Sequence, residues 1–397
     1  KNVQCPNCCA QGMDVFYVMD IVPVHSVMNV HSHVEALNFP TGAIELGFCG
    51  ECAFISNTLF DPSCIAYSQD CEESQGYSKT FNDFLTDSTK DLIDRYDIRN
   101  KEIIEIGCGK GEFLRLICSL GNNRGLGFDP AYIPGRNEYQ PADRDHKGNA
   151  MFIRDYYSEK YSHYKADAFI CRMTLEHISR PYDFLNMVRR AIGNRSSLVC
   201  FQVPNMTRIL KDCAFEDIYY EHCSYFTAGA LETLFRLSGF DVLDVRSVYG
   251  DQYLMLEGLP VADSIVNKAG SLENTVQETR TLISHFVETY RNKIEIYWKN
   301  RIDEMFRQRQ KVVVWGSGSK GVAFLTTLGI KESVEYVVDI NPHRQGTYMA
   351  GTGQAIVAPE FLKKYQPDAV IIMNAIYKTE IEEDLKTMGL SPEVQVL

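Results

Sequence analysis

The sequence lacks the long apolar runs of membrane proteins and the basic clusters of proteins that coat nucleic acid. No stretch approaches the roughly eighteen consecutive apolar residues that predict a transmembrane helix, and the first residues have no apolar signal-peptide core. The net charge of −12 at pH 7 disfavours extended phosphate binding, because that requires many clustered lysines and arginines. We therefore expect a small-molecule partner, and neither a membrane nor a nucleic acid.

Paired cysteines are scarce beyond the first part of the chain. Most of the 13 cysteines stand singly, as small buried side chains do in a reducing compartment, so we expect a cytoplasmic protein. The length of 397 residues exceeds one ordinary hydrophobic core and predicts two or three domains. Nothing in the composition indicates the oligomeric state.

Hydrophobic periodicity divides the chain into four parts. Residues 1–80 are short of helical periodicity and predict a small irregular or β-rich module. Residues 81–260 open with a predicted helix (81–98) and then alternate strands with helices, which indicates an α/β fold with a parallel, doubly wound sheet. Residues 261–310 predict a helical linker, and residues 311–397 return to the strand–helix alternation.

Two C-x-x-C pairs lie in the first module. Together they can supply the four thiolates of a tetrahedral structural zinc site, which would stabilise a module with little hydrophobic core. Chance pairing and a redox dithiol are the alternatives. The predicted ligands are Cys5, Cys8, Cys49 and Cys52. Four further residues could replace one ligand but are expected to be bystanders: Cys9, His25, His31 and His33.

A first glycine-rich turn follows the first strand of the α/β region. Its glycines let the backbone turn sharply beside a ligand, as they also do in dinucleotide sites. Two acids favour S-adenosylmethionine: Glu105 ends the strand before the turn, and Asp129 ends the next strand, where it can accept from ribose hydroxyls. Each acid alone could be a solvated strand end. The predicted cofactor residues are Glu105, Gly107, Gly109, Gly111, Asp129, Asp155 (toward the adenine amino group) and Arg172 (at the lip of the methyl-transfer site).

A cluster of tyrosine, glutamate and histidine follows at residues 219–222. Methylation of carbon requires a base, and His222 titrates near the working pH. Glu221 could orient this base or hold a substrate hydroxyl, and Tyr219 or Tyr220 could donate to an enolate oxygen. Asn205, just upstream, is a further candidate for substrate binding. A helix-capping loop with aromatic packing is the structural alternative.

A second glycine-rich turn, residues 316–321, has the sequence pattern G-x-G-x-x-G. Asp339 lies eighteen residues past Gly321, as in an NAD site. However, the domain is short, and Lys320 places a cation inside the turn. We therefore predict an anionic group of the acceptor at this helix start, with a structural turn as the alternative. The predicted ligands are Ser317, Ser319, Lys320 and Arg344.

The order of these motifs resembles the three-domain sugar C-methyltransferases of deoxysugar pathways over nearly the whole chain. The resemblance implies a zinc-binding module, a class I S-adenosylmethionine-dependent methyltransferase core and a Rossmann-like C-terminal substrate domain. It also implies methylation at C3 of a nucleotide-linked 4-keto sugar, with His222 as the base and with Tyr219 and Glu221 in the acceptor site. A further family tyrosine is matched by Tyr77 or Tyr67. Tyr220 stands where a second histidine is common in that family.

Three other functions remain open at this point. An O- or N-methyltransferase would use His222 to deprotonate a different group of a related metabolite. A bifunctional protein would bind NAD(P) at the second glycine turn. A noncatalytic scaffold would use the metal and the glycine turns for assembly only.

Overall fold

A computed structural model describes residues 3–136, 149–261 and 272–397. Its strands are β1 (Asp14–Pro23), β2 (Thr41–Phe48), β3 (Ile55–Asn57), β4 (Glu102–Ile106), β5 (Arg124–Phe128), β6 (Asn149–Ile153), β7 (Ala168–Arg172), β8 (Leu198–Pro204), β9 (Ser224–Tyr225), β10 (Phe240–Val248), β11 (Tyr253–Pro260), β12 (Val312–Trp315), β13 (Tyr336–Val338), β14 (Ala355–Val357), β15 (Ala369–Ile372) and β16 (Glu393–Val396). Its α-helices are α1 (His33–Leu37), α2 (Lys79–Tyr96), α3 (Glu112–Gly121), α4 (Pro181–Ile192), α5 (Met206–Asp212), α6 (Ala228–Leu237), α7 (Leu272–Arg291), α8 (Lys299–Arg307), α9 (Ser319–Leu328), α10 (Leu362–Tyr365) and α11 (Lys378–Thr387).

The N-terminal sheet contains a strand from the middle of the chain. Strands β1, β2 and β3 are antiparallel neighbours, which confirms the predicted β-rich character. Strand β9 adds to β3, with Ile55 opposite Tyr225 and Ser56 opposite Ser224. The ring of Phe54 also packs at 5.2 Å from the ring of Phe226. The segment predicted as the acceptor loop is therefore bound directly to the N-terminal module.

The central sheet has the strand order β10-β11-β8-β7-β4-β5-β6. Strands β4 to β8 are parallel, as predicted. Strand β11 lies antiparallel between β8 and β10, a reversal that the sequence reasoning did not predict. Strand β4 lies between β5 and β7. The chain runs from β4 to β5 on one side of β4 and later returns to place β7 on the other side, so the strand order reverses at β4. This switch point opens a crevice at the carboxyl ends of the strands, where α/β proteins bind ligands.

The C-terminal sheet has the order β14-β13-β12-β15-β16, with every neighbouring pair parallel. Its three middle strands were predicted and are confirmed. The edge strands β14 and β16 were missed, because both are short and only partly buried, so they lack the continuous apolar run of a buried parallel strand. Helix α9 begins directly after the second glycine turn, as predicted.

The predicted helical linker is helical from Leu272 to Arg307, and residues 308–309 form a turn. Helix α7 continues into a π-helical segment, Asn292–Trp298, and then into α8. Phe286 of α7 packs at 5.8 Å from the ring of Tyr17 on β1, and Trp298 packs at 5.3 Å from Phe324 on α9. The region therefore contacts both the N-terminal sheet and the C-terminal sheet. The start of the predicted linker, 262–271, lies outside the described residues. No described helix is both long and apolar enough to cross a bilayer.

Candidate active site

One cavity of about 680 Å³ is lined by both glycine turns. The central sheet contributes the carboxyl ends of β4, β5 and β7, and the C-terminal sheet contributes the turn after β12. Most residues of the segment 71–78, together with Tyr219, Glu221 and His222, complete parts of the wall. The two turns that look alike in sequence therefore face the same space from two different sheets.

The first turn requires glycine for its backbone and for its close contacts. Gly107, Gly109 and Gly111 have φ of +73°, +52° and +84°, in the left-handed region that other residues avoid. A Cβ on Gly107 would lie 1.9 Å from Oγ1 of Thr174, and one on Gly109 would lie 2.8 Å from Oε1 of Glu73. Gly107 and Gly109 line the cavity, whereas Gly111 packs on Phe152 behind it.

The acids at the carboxyl ends of β4 and β5 both line the cavity. Burial raises the pKa of Glu105 to about 8, although Arg172 opposes the shift, and Oε2 of Glu105 has no hydrogen-bond partner among the described residues. Asp129 accepts from the N–H of Gly109 at 2.8 Å and from the N–H of Ala131 at 2.7 Å, through different oxygens. Each oxygen of Asp129 keeps a lone pair, which is what a ribose diol requires.

Arg172 lies where β7 reaches the cavity. Its Nε donates to Oε1 of Gln202 at 2.9 Å, and its guanidinium lies 4.4 Å from the centre of the Phe113 ring. Burial lowers its pKa, while Glu105 acts in the opposite direction. Arg172 is therefore fixed by an amide and an aromatic face, at the edge predicted for methyl transfer.

His222 is a buried imidazole on the cavity wall. Its Nε2 lies 2.8 Å from the hydroxyl of Tyr219, and its Nδ1 has no partner among the described residues. The side chain is 3% exposed, and burial lowers its pKa well below 6.5, with His177 and Lys320 adding to the shift. The imidazole is therefore neutral at pH 7, as a base must be before it accepts a proton.

Glu221 is held by two residues of the N-terminal module. The N–H of Ser26 lies 3.0 Å from both carboxylate oxygens, and the hydroxyl of Ser26 donates to Oε2 at 2.5 Å. His25 accepts at Nε2 from the N–H of Ala66 (3.1 Å), so its Nδ1 carries the proton and faces Oε1 of Glu221 at 3.3 Å. No motif predicted Ser26, because its function arises only from contact with a residue 195 positions away.

Two further cavity residues were missed by the sequence reasoning. Glu176 and His177 lie on a short 3₁₀ turn directly after β7. Nδ1 of His177 lies 3.0 Å from the main-chain oxygen of Glu221 and 2.7 Å from the hydroxyl of Tyr67. A carboxyl oxygen of Glu176, a ring nitrogen of His177 and a ring nitrogen of His222 all lie within 4.8 Å of one another. Residues 171–178 were predicted as the lip of the site, but no spacing distinguished these two side chains.

The two candidate tyrosines line different parts of the cavity. Tyr67 contacts His177, as described above. The hydroxyl of Tyr77 lies 3.4 Å from Nη2 of Arg136, and its ring centre lies 6.2 Å from that of His343. Of the two, Tyr67 is therefore the one that contacts the histidine cluster.

Apart from the predicted metal ligands, five predicted site residues do not line the cavity. Tyr220 accepts from the N–H of Asp61 at 3.0 Å and faces the N-terminal module. Asn205 instead caps α5, and Asp155 is bound by Lys160 and Tyr161, which lower its pKa to about 2. The five residues are Gly111, Asp155, Asn205, Tyr220 and Ser317.

The second turn presents an arginine with an unused N–H group. Ser317 donates its N–H (3.0 Å) and its hydroxyl (2.5 Å) to Oδ2 of Asp339. Arg344 donates through Nε to Oγ of Ser317 at 3.0 Å and through Nη2 to the Ser317 carbonyl at 2.6 Å. Its Nη1 has no partner among the described residues, although Arg344 is only 3% exposed. Such a buried donor is a site for an anionic ligand.

Ser319 and Lys320 lie at the start of α9 and line the same cavity. The hydroxyl of Ser319 lies 2.8 Å from the hydroxyl of Ser26. Nζ of Lys320 donates to Oδ2 of Asp217 at 2.5 Å, and the same oxygen accepts from Arg208 at 2.6 Å. Lys320, which was predicted to bind an anionic group of the acceptor, is therefore already paired with Asp217.

The four predicted metal ligands form one cluster. The Sγ atoms of Cys5 and Cys52 are 3.7 Å apart, and those of Cys8 and Cys49 are 3.6 Å apart. A tetrahedral zinc with Zn–S bonds of about 2.3 Å requires sulfurs about 3.8 Å apart, so the geometry is compatible with zinc. Nδ2 of Asn7 lies 3.5 Å from Sγ of Cys52, where its N–H can donate to the thiolate. The alternative ligands His25, His31 and His33 are outside this cluster.

Comparison with known families identifies the general activity. Residues 77–245 match the model of a methyltransferase domain, and residues 272–391 match the model of a C-methyltransferase C-terminal domain. The chain is an S-adenosylmethionine-dependent methyltransferase. Its central sheet is the expected class I, Rossmann-like core.

A curated relative of this methyltransferase is the C-methyltransferase NovU of Streptomyces niveus. It is 25% identical over 294 residues, which cover 72% of this chain and 69% of the relative. With the two domain models, it supports a C-methyltransferase family. Among solved structures, an N1-methyltransferase of Burkholderia thailandensis is 15% identical, with a TM-score of 0.35 over 46% of this chain and 82% of that chain. A magnesium protoporphyrin IX methyltransferase of Synechocystis PCC 6803 is 12% identical, with a TM-score of 0.36 over 46% and 84%.

Unpaired buried atoms indicate what the methyltransferase cavity binds. Among the described residues, those toward the central sheet include two acceptors, an oxygen of Glu105 and Nδ1 of His222, together with the carboxyl group of Glu176 and the amide nitrogen of Gln202. Toward the C-terminal sheet, Arg344 offers a donor with a positive charge. Buried polar atoms are normally satisfied, so these atoms indicate the complementary groups of ligands. The cavity suits donor or cationic groups at one end and an anion at the other.

We predict that Gly107→Ala abolishes most cofactor binding. The added Cβ would collide with Thr174 and displace the turn that faces the cofactor, so affinity for S-adenosylhomocysteine should fall at least about tenfold. Titration calorimetry measures this change. Gly389→Ala is the matched control: its φ is +76°, but a Cβ there meets nothing within 4 Å. Equal affinities of the two variants would contradict the assignment.

Proposed function

We propose that this methyltransferase methylates a carbon atom of a nucleotide-linked keto-deoxysugar. The observation that carries the proposal is His222, a neutral and buried imidazole with an unpaired nitrogen, in the same cavity as the cofactor turn. A methyl transfer to oxygen or nitrogen does not need a carbon acid to be deprotonated. The similarity of residues 272–391 to a C-methyltransferase C-terminal domain also favours carbon.

His222 acts as the general base in this mechanism. It removes a proton from the carbon next to the keto group, and the resulting enolate is the nucleophile. Tyr219 holds Nε2 of the imidazole at 2.8 Å, and Glu221, fixed by Ser26, positions the loop that carries both residues. Bound S-adenosylmethionine supplies the electrophilic methyl group. Glu105, Arg172 and Asp129 would surround it at the ends of the central strands.

Arg344 and the start of α9 bind the diphosphate of the acceptor. The unpaired Nη1 of Arg344 donates to an oxygen of the diphosphate, while Ser317 fixes the guanidinium through two hydrogen bonds. Ser319 adds a hydroxyl on the same wall. Lys320 pairs with Asp217 and so positions the turn that carries Ser319. The sugar then extends between the two glycine turns, and its diphosphate lies at the second turn.

We assign no NAD(P) to the second turn. Oδ2 of Asp339 already accepts two hydrogen bonds from Ser317, so it cannot offer a ribose the pair of free acceptors that Asp129 offers. The C-terminal domain, residues 311–397, is in this proposal a substrate domain. Residues 1–80 are a module that zinc stabilises, residues 81–260 are the catalytic core, and residues 261–310 connect the core to the substrate domain.

The first test identifies the methylated atom in the product of the reaction. The protein is incubated with methyl-¹³C S-adenosylmethionine and a thymidine-diphosphate-linked 4-keto-6-deoxyhexose. Carbon-bound methyl groups resonate apart from oxygen- and nitrogen-bound ones, so the ¹³C spectrum identifies the methylated atom. A carbon-bound methyl is the expected result, and an oxygen- or nitrogen-bound methyl would contradict the proposal.

His222→Asn should lower kcat about 10²- to 10⁴-fold, because the base is lost, while affinity for S-adenosylhomocysteine stays within about twofold. In the unmodified protein, kcat/KM should stay constant as pH falls to 6.5, since burial lowers the pKa of His222 below that value. His163→Asn, at an exposed position outside the cavity, is the control. Full methyl transfer by His222→Asn would exclude this residue as the base.

Arg344→Met should raise KM for the diphosphate-linked acceptor roughly 10- to 100-fold, because a hydrogen bond to a charged group contributes about 1.5–3 kcal/mol of binding free energy. Affinity for S-adenosylhomocysteine should not change, because Arg344 lies at the other end of the cavity. Steady-state kinetics and calorimetry separate the two effects. The exposed Arg309, substituted in the same way, controls for charge. An unchanged KM in Arg344→Met would remove the diphosphate assignment.

Cys49→Ser should abolish bound zinc and lower the thermal midpoint, because a tetrahedral site needs all four thiolates. Elemental analysis of the purified protein should give one zinc per chain before the substitution. Cys64→Ser changes an exposed cysteine outside the cluster and should keep the metal. Absence of zinc from the unmodified protein would contradict the prediction.

A further inference from the structure

Glu176 is a buried carboxyl group that the mechanism above does not use. It is 1% exposed, it lines the cavity, and neither carboxyl oxygen has a partner among the described residues. Its Oε1 lies 3.9 Å from Nε2 of His222. Its main-chain oxygen accepts from the N–H of Cys223 at 2.9 Å, which fixes the turn of Glu176 to the loop that carries His222. The carboxyl group therefore has a defined position beside the base.

The groups around Glu176 do not compensate a negative charge. A carboxylate without a cation or donors is costly to bury, so the neutral acid is favoured. In agreement, burial raises the pKa of Glu176 to about 8. The titratable groups that face it are Cys171 on β7, His177 on its own turn, Tyr219, His222 and Cys223 on the acceptor loop, Tyr67 of the N-terminal module, and Tyr253 on β11.

Burial keeps both histidines of this group neutral at pH 7 as well. It lowers the pKa of His177 and lowers that of His222 further. The unpaired Nδ1 of a neutral His222 is basic only when Nε2 carries the proton, so Nε2 donates to the oxygen of Tyr219 at 2.8 Å. Glu176 is a further residue beside the base with an uncommitted O–H at neutral pH, and neither of its carboxyl oxygens has a partner among the described residues.

We propose that Glu176 is a catalytic residue whose neutral carboxylic acid donates a hydrogen bond to the enolate oxygen of the acceptor. The inference rests on the proposed carbon methylation. A carboxylic acid kept neutral in an apolar site is a known way to stabilise an oxyanion. The sequence predicted this role for Tyr219 or Tyr220, but Tyr219 holds the base through Nε2 and Tyr220 does not line the cavity.

The step balances as follows. His222 takes the proton from carbon, and the C–H electron pair moves to the carbonyl oxygen, where the O–H of Glu176 donates without transferring its proton. The pair then returns to form the new C–C bond to the methyl group, and the pair of the breaking S–C bond stays on sulfur. The imidazolium of His222 loses its proton to solvent.

The first experiment measures the protonation of Glu176 directly. The full chain is labelled with [5-¹³C]glutamate, saturated with S-adenosylhomocysteine, and titrated by NMR; Glu176→Gln and Glu176→Asp identify the resonance. We expect a carboxyl signal that titrates near pH 8. A signal that is already that of a carboxylate at pH 7 would overturn the proposal. This result does not depend on the identity of the acceptor.

The second experiment uses the 4-keto acceptor of the function test. The rate of the unmodified protein should fall above pH 8, as Glu176 loses its proton. Glu176→Gln keeps a neutral donor at every pH, so it should lose this alkaline limb while its rate at pH 7 falls no more than about tenfold. Glu176→Ala should lose about 10²- to 10³-fold in kcat. The exposed Glu332→Gln is the control.

Exchange of the acidic C–H of the acceptor into D₂O gives a separate measure of enolate formation. It should slow in Glu176→Ala in parallel with methyl transfer. Wild-type exchange and rate in folded Glu176→Ala would refute the role, and Glu105→Gln separates any alkaline limb that comes from Glu105, whose pKa is also raised to about 8. If the unmodified protein neither exchanges nor methylates the acceptor, the proposed function fails instead, and the NMR titration still decides the state of Glu176.

Discussion

Ser26 donates its main-chain N–H to both oxygens of Glu221 and its hydroxyl to one of them, and the arrangement of the acceptor site depends on this contact. It joins a residue of the N-terminal module to the loop that carries Tyr219 and His222. The pairing of β3 with β9 extends the same connection by backbone hydrogen bonds. The N-terminal module is thus part of the wall of the catalytic cavity. A metal that stabilises this module would act on catalysis through the same contacts.

Burial determines the protonation states around this contact. His222 has little access to water and stays neutral, while Glu105 and Glu176 have pKa values raised to about 8. At the opposite end, Arg344 is equally buried but remains a donor, since a guanidinium keeps its charge in proteins. One cavity therefore offers a neutral imidazole, neutral acids and a fixed cation. These are the groups that the proposed acceptor, a carbon acid with a distant anion, requires.

The backbone of the site was more predictable than its side-chain contacts. Gly107 and Gly109 follow a strand and open a helix, so local rules place them correctly, and Glu105 and Asp129 follow from the ends of adjacent parallel strands. Tyr220 and Asp155 carry the right chemistry in the right segments, yet their side chains point to Asp61 and to Lys160 instead. Neighbouring residues on a loop can face opposite directions, and local pattern does not decide which one faces a ligand.

The α/β core, the first glycine turn, the two cysteine pairs and the candidate base could be predicted from the sequence, because each depends on residues close together in the chain or on a regular period. Three facts came only from the folded chain: both glycine turns face one cavity, Ser26 holds Glu221, and Glu176 lies beside His222 with no hydrogen-bond partner among the described residues. These facts depend on contacts between distant segments. Packing of these segments removes water from the cavity, and this burial sets the protonation state of each side chain. No local sequence pattern predicts it.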